Sequence, residues 1–203
     1  MIDSYLTLGE PVSHKITRKK SRFLAILRPI TAEDEVAQVL NDLRRRYHDA
    51  AHHCYAARWL DGNQVVETSH DDGEPSGSAG LPILQQLTGR DLTNVIAVVV
   101  RYFGGTKLGV GGLVRAYSDA VAEALDRTKI VHRTLEIRVA IRFPAEVNSA
   151  VMSIIHRFSA SVESLAYDHP ARVDVKLPPS RAAAFCAALT EGTGNRAKAV
   201  VET

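Results

Sequence analysis

Two glycine-rich segments hold most of the residues whose types and spacing could do chemistry. The first reads Asp71-Asp72-Gly73-Glu74-Pro75-Ser76-Gly77-Ser78-Ala79-Gly80. Its glycines permit positive φ and let a ligand approach bare backbone. Its carboxylates, Asp71, Asp72 and Glu74, admit two readings. They could offer hard oxygen ligands to a divalent cation, or form an acidic turn stabilised by the N-terminus of a following helix. The turn is the expectation, with no metal and no other cofactor. Gly73, Ser76, Gly77 and Ser78 complete this acidic glycine loop. Ser76 does not sit in a nucleophile elbow, because Glu74 stands where G-x-S-x-G needs glycine.

The second segment runs from Arg101 to Tyr117 through Gly104, Gly105, Gly109, Gly111 and Gly112. It joins a β-branched run to an apolar-periodic stretch, so it reads as a strand-to-helix turn. Free backbone N–H groups at a helix start form an anion site. Arg101, Lys107 and Arg115 could set positive charge beside it, and Tyr102, Phe103 and Tyr117 could stack on bases. The basic turn Arg18-Lys19-Lys20-Ser21-Arg22 adds Lys20 and Arg22 to these candidate anion or nucleic-acid contacts. A purely structural turn is the alternative. The order of residues is not that of a P-loop, since neither Ser nor Thr follows Lys107.

His52-His53-Cys54 invites a metal or Cys–His reading, but adjacent strand residues point to opposite faces, so His53 and Cys54 do not converge on one ion. Cys54 and Cys186 have no second cysteine at metal-ligand spacing and read as reduced, buried thiols. No nucleophile and base stand paired in the sequence, so no catalytic residue is assigned.

The elements that must position these segments follow from periodicity. Val12 to Ile30 reads as two strands around the basic turn. Thr31 looks like an N-cap with Asp34 three residues on, and Val36, Val39, Leu40, Leu43 and Tyr47 follow at helical spacing. His53–Leu60 and Gln64–Thr68 flank the turn Asp61-Gly62-Asn63 as a hairpin. Leu81–Leu87 reads as a short helix, Asn94–Phe103 as a buried strand, and Gly109 to about Arg127 as a helix with Leu113, Ala116, Ala120 and Ala124 on one face. Beyond that come a strand over 135–143, a helix marked by Val147, Val151, Ile154, Ile155 and Phe158, strands over 161–167 and 172–177, a helix through Phe185 and Leu189, and a strand over 198–202. That β-α-β-β-α-β order is the ferredoxin-like split motif. The expected domains are 1–128 and 133–203, with the boundary near Lys129–Arg133.

Of the 203 residues 45% are hydrophobic and 24% charged, which suits a globular chain and excludes wholesale disorder. The longest apolar run, Val95–Val100, is too short to span a bilayer, and no signal-peptide pattern opens the chain. A cytoplasmic location without membrane contact is therefore expected. The net charge is +2. Residues 129–203 carry ten Lys and Arg against seven Asp and Glu, and residues 1–128 fifteen against sixteen. Nucleic-acid binding would need local basic patches rather than a global field.

Lys20-Ser21-Arg22-Phe23, His53-Cys54-Tyr55-Ala56, Asp71 through Leu84 and Asn94 through Tyr117 closely resemble the YigZ/IMPACT family. The resemblance covers most of residues 10–128. It implies an α+β protein whose N-terminal α/β two-layer domain is of the type seen in a ribosomal small-subunit protein. The C-terminal ferredoxin-like domain is similar to a late domain of elongation factor G. It also implies a role near translation, since eukaryotic relatives are translation regulators acting through protein partners. Three functions follow as expectations: a non-catalytic regulator binding RNA or the ribosome through the glycine-rich segments, a regulator binding a translation-related protein, and, ranked last, an enzyme acting on a phosphorylated small molecule. Oligomeric state is not read from the sequence.

Overall fold

The computed structural model describes residues 1–202. The chain divides into two compact units, Tyr5–Arg133 and the residues from Thr134 onward joined by Met1–Ser4.

In the first unit a five-stranded antiparallel sheet is built from β2 (Val12–Arg18), β3 (Ser21–Pro29), β4 (His52–Asp61), β5 (Gln64–His70) and β6 (Val95–Tyr102), in the order β2-β3-β6-β4-β5. Its central strand β6 reads Val-Ile-Ala-Val-Val-Val-Arg-Tyr and is buried along nearly its whole length. Such a run needs cover on both faces, and both are covered. Ala97 and Val99 pack with Phe23, Ala25 and the helices α2 (Gly80–Thr88) and α3 (Val110–Leu125). Ile96, Val98 and Val100 pack with Trp59 and with Val36, Leu40 and Leu43 of α1 (Glu33–Arg46). The α+β class stands, but the sheet is flanked on two faces where a two-layer domain was expected. Alanines at 116, 120 and 124 are buried and bring α3 close to the sheet.

One local expectation is corrected. Helix α1 has Ala32 at its N-cap with no side-chain cap, and Thr31 pairs instead with the carboxylate of Glu35. The strand β7 (Ile130–Thr134) pairs with β1 (Ser4–Leu8) as a two-stranded ribbon.

The second unit contains β8 (Ile137–Phe143), α4 (Asn148–Arg157), β9 (Ser161–Ala166), β10 (Ala171–Leu177), α5 (Ala182–Gly192) and β11 (Lys198–Glu202), with sheet order β11-β8-β10-β9. That is the ferredoxin-like arrangement. Val139, Ile141, Val173 and Val175 meet Val151, Ile155, Phe185 and Leu189 in its core. Asp174 is buried on the sheet and accepts hydrogen bonds from Arg172, Arg138 and Ser164. Among the described residues no helix is long and apolar enough to cross a membrane.

Candidate functional site

The acidic glycine loop is held by its own carboxylates. Asp71 accepts the N–H groups of Gly77, Ala79 and Gly80 at 2.8, 2.9 and 2.8 Å, so one side chain closes the loop and occupies the N-terminus of α2. Burial alone would raise its carboxyl, but the N–H groups of Gly77, Gly80 and Ala79 outweigh that and hold it below the usual Asp range. Asp72 accepts the N–H of His53 at 2.7 Å and an Arg44 Nη2–H at 3.2 Å. Gly73 and Gly77 take φ of +85° and +72°, which glycine adopts at little cost. Ser76 and Gly77 are exposed, and Ser78 is buried with its hydroxyl unpaired. Among the described residues no three His, Cys, Asp or Glu side chains gather in a metal-holding group.

Glu74 points inward instead. Its Oε1 accepts a 2.5 Å hydrogen bond from Arg101 Nη1 and a 2.7 Å bond from the Tyr117 hydroxyl. The Glu74 and Arg101 side chains are only 4% and 6% exposed, and such a pair is costly to break by removing one partner. Cys54 faces the Asp71 carbonyl oxygen at 2.9 Å, which can only accept its thiol hydrogen, and its Sγ lies 3.2 Å from the Tyr117 oxygen. Burial first, and then the neighbouring carboxylates, push its thiol up to about 12 despite the Tyr117 hydrogen bond, so it is an inert thiol near neutral pH. Burial and the nearby Cys54 and Glu74 likewise raise the Tyr117 phenol.

His52 opens β4 directly across from Arg101 in the sheet register, which places both on one face. Its Nδ1 lies 2.8 Å from the Asp72 carbonyl oxygen. A carbonyl only accepts, so Nδ1 carries the hydrogen. The other ring nitrogen, Nε2, stands 3.8 Å from Glu74 Oε1.

Above this network lies a cavity of about 410 Å³ to which both glycine-rich segments contribute. Glu74 and Pro75 come from the first segment, and Phe103, Lys107, Leu108, Gly109, Val110 and Leu113 from the second. His52 and Arg101 complete the lining. The buried ion pair balances its own charge, most of the wall is apolar, and among the described residues of the lining Lys107 is the exposed cation.

The other candidates divide. Gly104 is pressed onto the β2–β3 turn: an added Cβ would lie 2.1 Å from the Lys20 carbonyl carbon, and its N–H donates to Ser21 Oγ at 3.1 Å. Gly105 and Gly109 take φ of +83° and +73°. Gly112 packs on Leu108, whereas Gly111 faces open space. Arg115 is exposed, and with Arg18 and Lys19 lines a neighbouring depression of about 300 Å³. Lys20 is exposed beside Gly104. Arg22 and Tyr102 lie on the other face of the sheet, with the guanidinium 4.6 Å from the ring centroid and the phenol donating to Asp49. Tyr117 is fully buried edge-on to Phe23 and offers no ring face to a base. The pairing of His52 with Glu74 escaped the sequence reading; its signal is the cross-strand position of His52 opposite Arg101.

A sequence profile of the Impact N-terminal domain matches residues 19–125. IMPACT family member YvyE of Bacillus subtilis is 42% identical over 135 residues, covering 66% of this chain and 62% of that relative. IMPACT family member YigZ of Escherichia coli is 32% identical over 194 residues, covering 94% of each. The crystal structure of a hypothetical protein superposes with a TM-score of 0.66 at 28% identity, covering 100% of this chain and 99% of that one.

Proposed function

The chain belongs to the IMPACT family, and on that premise we propose that it is a non-catalytic, translation-associated regulator that grips RNA through its second glycine-rich segment. One observation carries the reading. Gly104 packs without a side chain against Lys20 and Ser21, so the basic turn and the loop preceding α3 form one surface. Lys19, Lys20, Lys107 and Arg115 are all exposed there. Arg18 beside them is engaged by Asp119 and Glu123. Helix α3 starts at Gly109 with no side-chain cap, so its first N–H groups add a fixed partial positive charge for a phosphate.

The turn supports the same reading. Lys19 and Lys20 take φ of +45° and +67°, where Asn-Gly would fit with less strain. Left-handed backbone costs a non-glycine residue roughly 1–2 kcal/mol. Two lysines held there are presented to solvent at a conformational cost, as happens at functional sites.

Titration with structured and single-stranded RNA at two ionic strengths tests the proposal. Affinity should fall steeply with added salt. Absence of binding at low salt would overturn it.

A further inference from the structure

We propose that the cavity between the two glycine-rich segments is a site for a small carboxylic acid with an apolar body, clamped by the open edge of Arg101. The inference goes beyond the RNA reading and does not depend on it.

The lining holds a cation that is only half used. Arg101 contributes a side chain 6% exposed. Among the described residues Glu74 is its hydrogen-bond partner, reached through Nη1. The Nε–H of the same guanidinium is buried with no partner. A guanidinium clamps a carboxylate side-on through Nε–H and the terminal N–H beside it, and Glu74, bonded at Nη1, leaves that edge free. A buried donor without an acceptor is costly, and a ligand oxygen relieves it. Such an edge selects an acceptor, whereas an ammonium group would meet it with like charge.

The charge around the cavity points the same way. Among the described lining residues Glu74 is the one acid, and its Oε1 already accepts from Arg101 and from the Tyr117 hydroxyl. Lys107 is exposed at the lining. Helix α3, 16 residues long, starts there at Gly109 with no side-chain cap, so its first N–H groups add partial positive charge. The rest of the wall is Pro75, Phe103, Leu108, Val110 and Leu113. Phe103 and Val110 are 52% and 57% exposed, which leaves large apolar surface in water. A bare inorganic anion would not cover it. Apolar walls with a few convergent donors around about 410 Å³ match an organic ligand, one whose hydrocarbon part lies on Phe103 and Val110.

Titration calorimetry of the full chain with phenylacetate, phenylacetamide, phenethylamine, acetate and inorganic phosphate tests this. Phenylacetate should bind about tenfold or more tighter than the amide, and tighter than the amine, acetate or phosphate. Its binding should move the Arg101 Nε–H signal in a nitrogen–proton correlation spectrum, which the amide should leave in place. Val110→Glu sets a second carboxylate in the lining from an exposed position at the start of α3. That variant should weaken phenylacetate by about tenfold and leave the amide unchanged. Acetate or phosphate binding as tightly as phenylacetate makes this an adventitious anion site and overturns the proposed class. Equal affinity for acid and amide, an unmoved Arg101 signal, or no binding of any probe overturns the site itself. None of these outcomes bears on RNA affinity, which the RNA titration decides separately.

Discussion

A single carboxylate, Asp71, organises the first glycine-rich segment, and its effect is measurable. It accepts three backbone N–H groups, those of Gly77, Ala79 and Gly80. Asp71→Ala should destabilise the first unit by roughly 2–4 kcal/mol, read from urea unfolding, because charge-assisted bonds are lost and donors are left unpaired. The pH dependence has a definite sign. The folded carboxyl sits below its ordinary value, so its contribution is fully present above the unfolded value of about 3.9. It is lost as pH falls through the lowered folded value. Wild type and Asp71→Asn should therefore draw closer in stability at strongly acid pH and stand furthest apart above pH 5. Cys54 gives a second residue-scale outcome. Its thiol, raised by burial and seated under Tyr117, should resist alkylation in the native protein at pH 8 and react fully only on unfolding. Rapid native modification of Cys54, followed by peptide mapping, would show that the network is open.

At the scale of elements, the glycines are not equivalent, although the sequence presents them as one motif. Gly104→Ala places a Cβ inside the Lys20 backbone and should cost about 3 kcal/mol or more. Gly111→Ala points into open space inside α3 and should be neutral or stabilise by up to about 1 kcal/mol. Thermal unfolding of both variants separates a docking glycine from a permissive one; equal losses would contradict the packing of the loop on the turn. This is also where sequence legibility divides. The buried run Val95–Val100 and the alanines of α3 announce strand and helix, because burial leaves a periodic signature in one stretch of chain. The β1–β7 ribbon leaves none, being two short strands more than a hundred residues apart, the second of them largely exposed. The pairing of His52 with Glu74 is hidden for the same reason. It depends on β4 lying beside β6, and on a loop that turns Glu74 inward while Asp71 and Asp72 hold its backbone. Cover on both faces of β6 was implied by its unbroken apolar run, yet a sheet with helices on one face was expected.

For the whole molecule, a net charge of +2 gives no long-range field strong enough to drive nucleic-acid association. Any such binding depends on the local surface made by the basic turn and the loop before α3. Four exposed cations lie on two segments far apart in sequence that adjoin where β3 pairs with β6 at Arg22 and Tyr102, and Gly104 lets the loop before α3 pack directly on the turn. The second unit has its own core, and its central carboxylate, Asp174, is held below the ordinary range first by Arg172 and then by Ser164. Its arginines at that point are engaged within its sheet. The most direct measurement is therefore the salt dependence of RNA affinity for the wild type, for Lys20→Ala/Lys107→Ala and for Lys198→Ala in the second unit. The account predicts that the double variant weakens binding to single-stranded RNA and flattens the slope of log K against log salt by about 1.4, while Lys198→Ala leaves it unchanged. An unchanged slope in the double variant, or an equal change in Lys198→Ala, would contradict it.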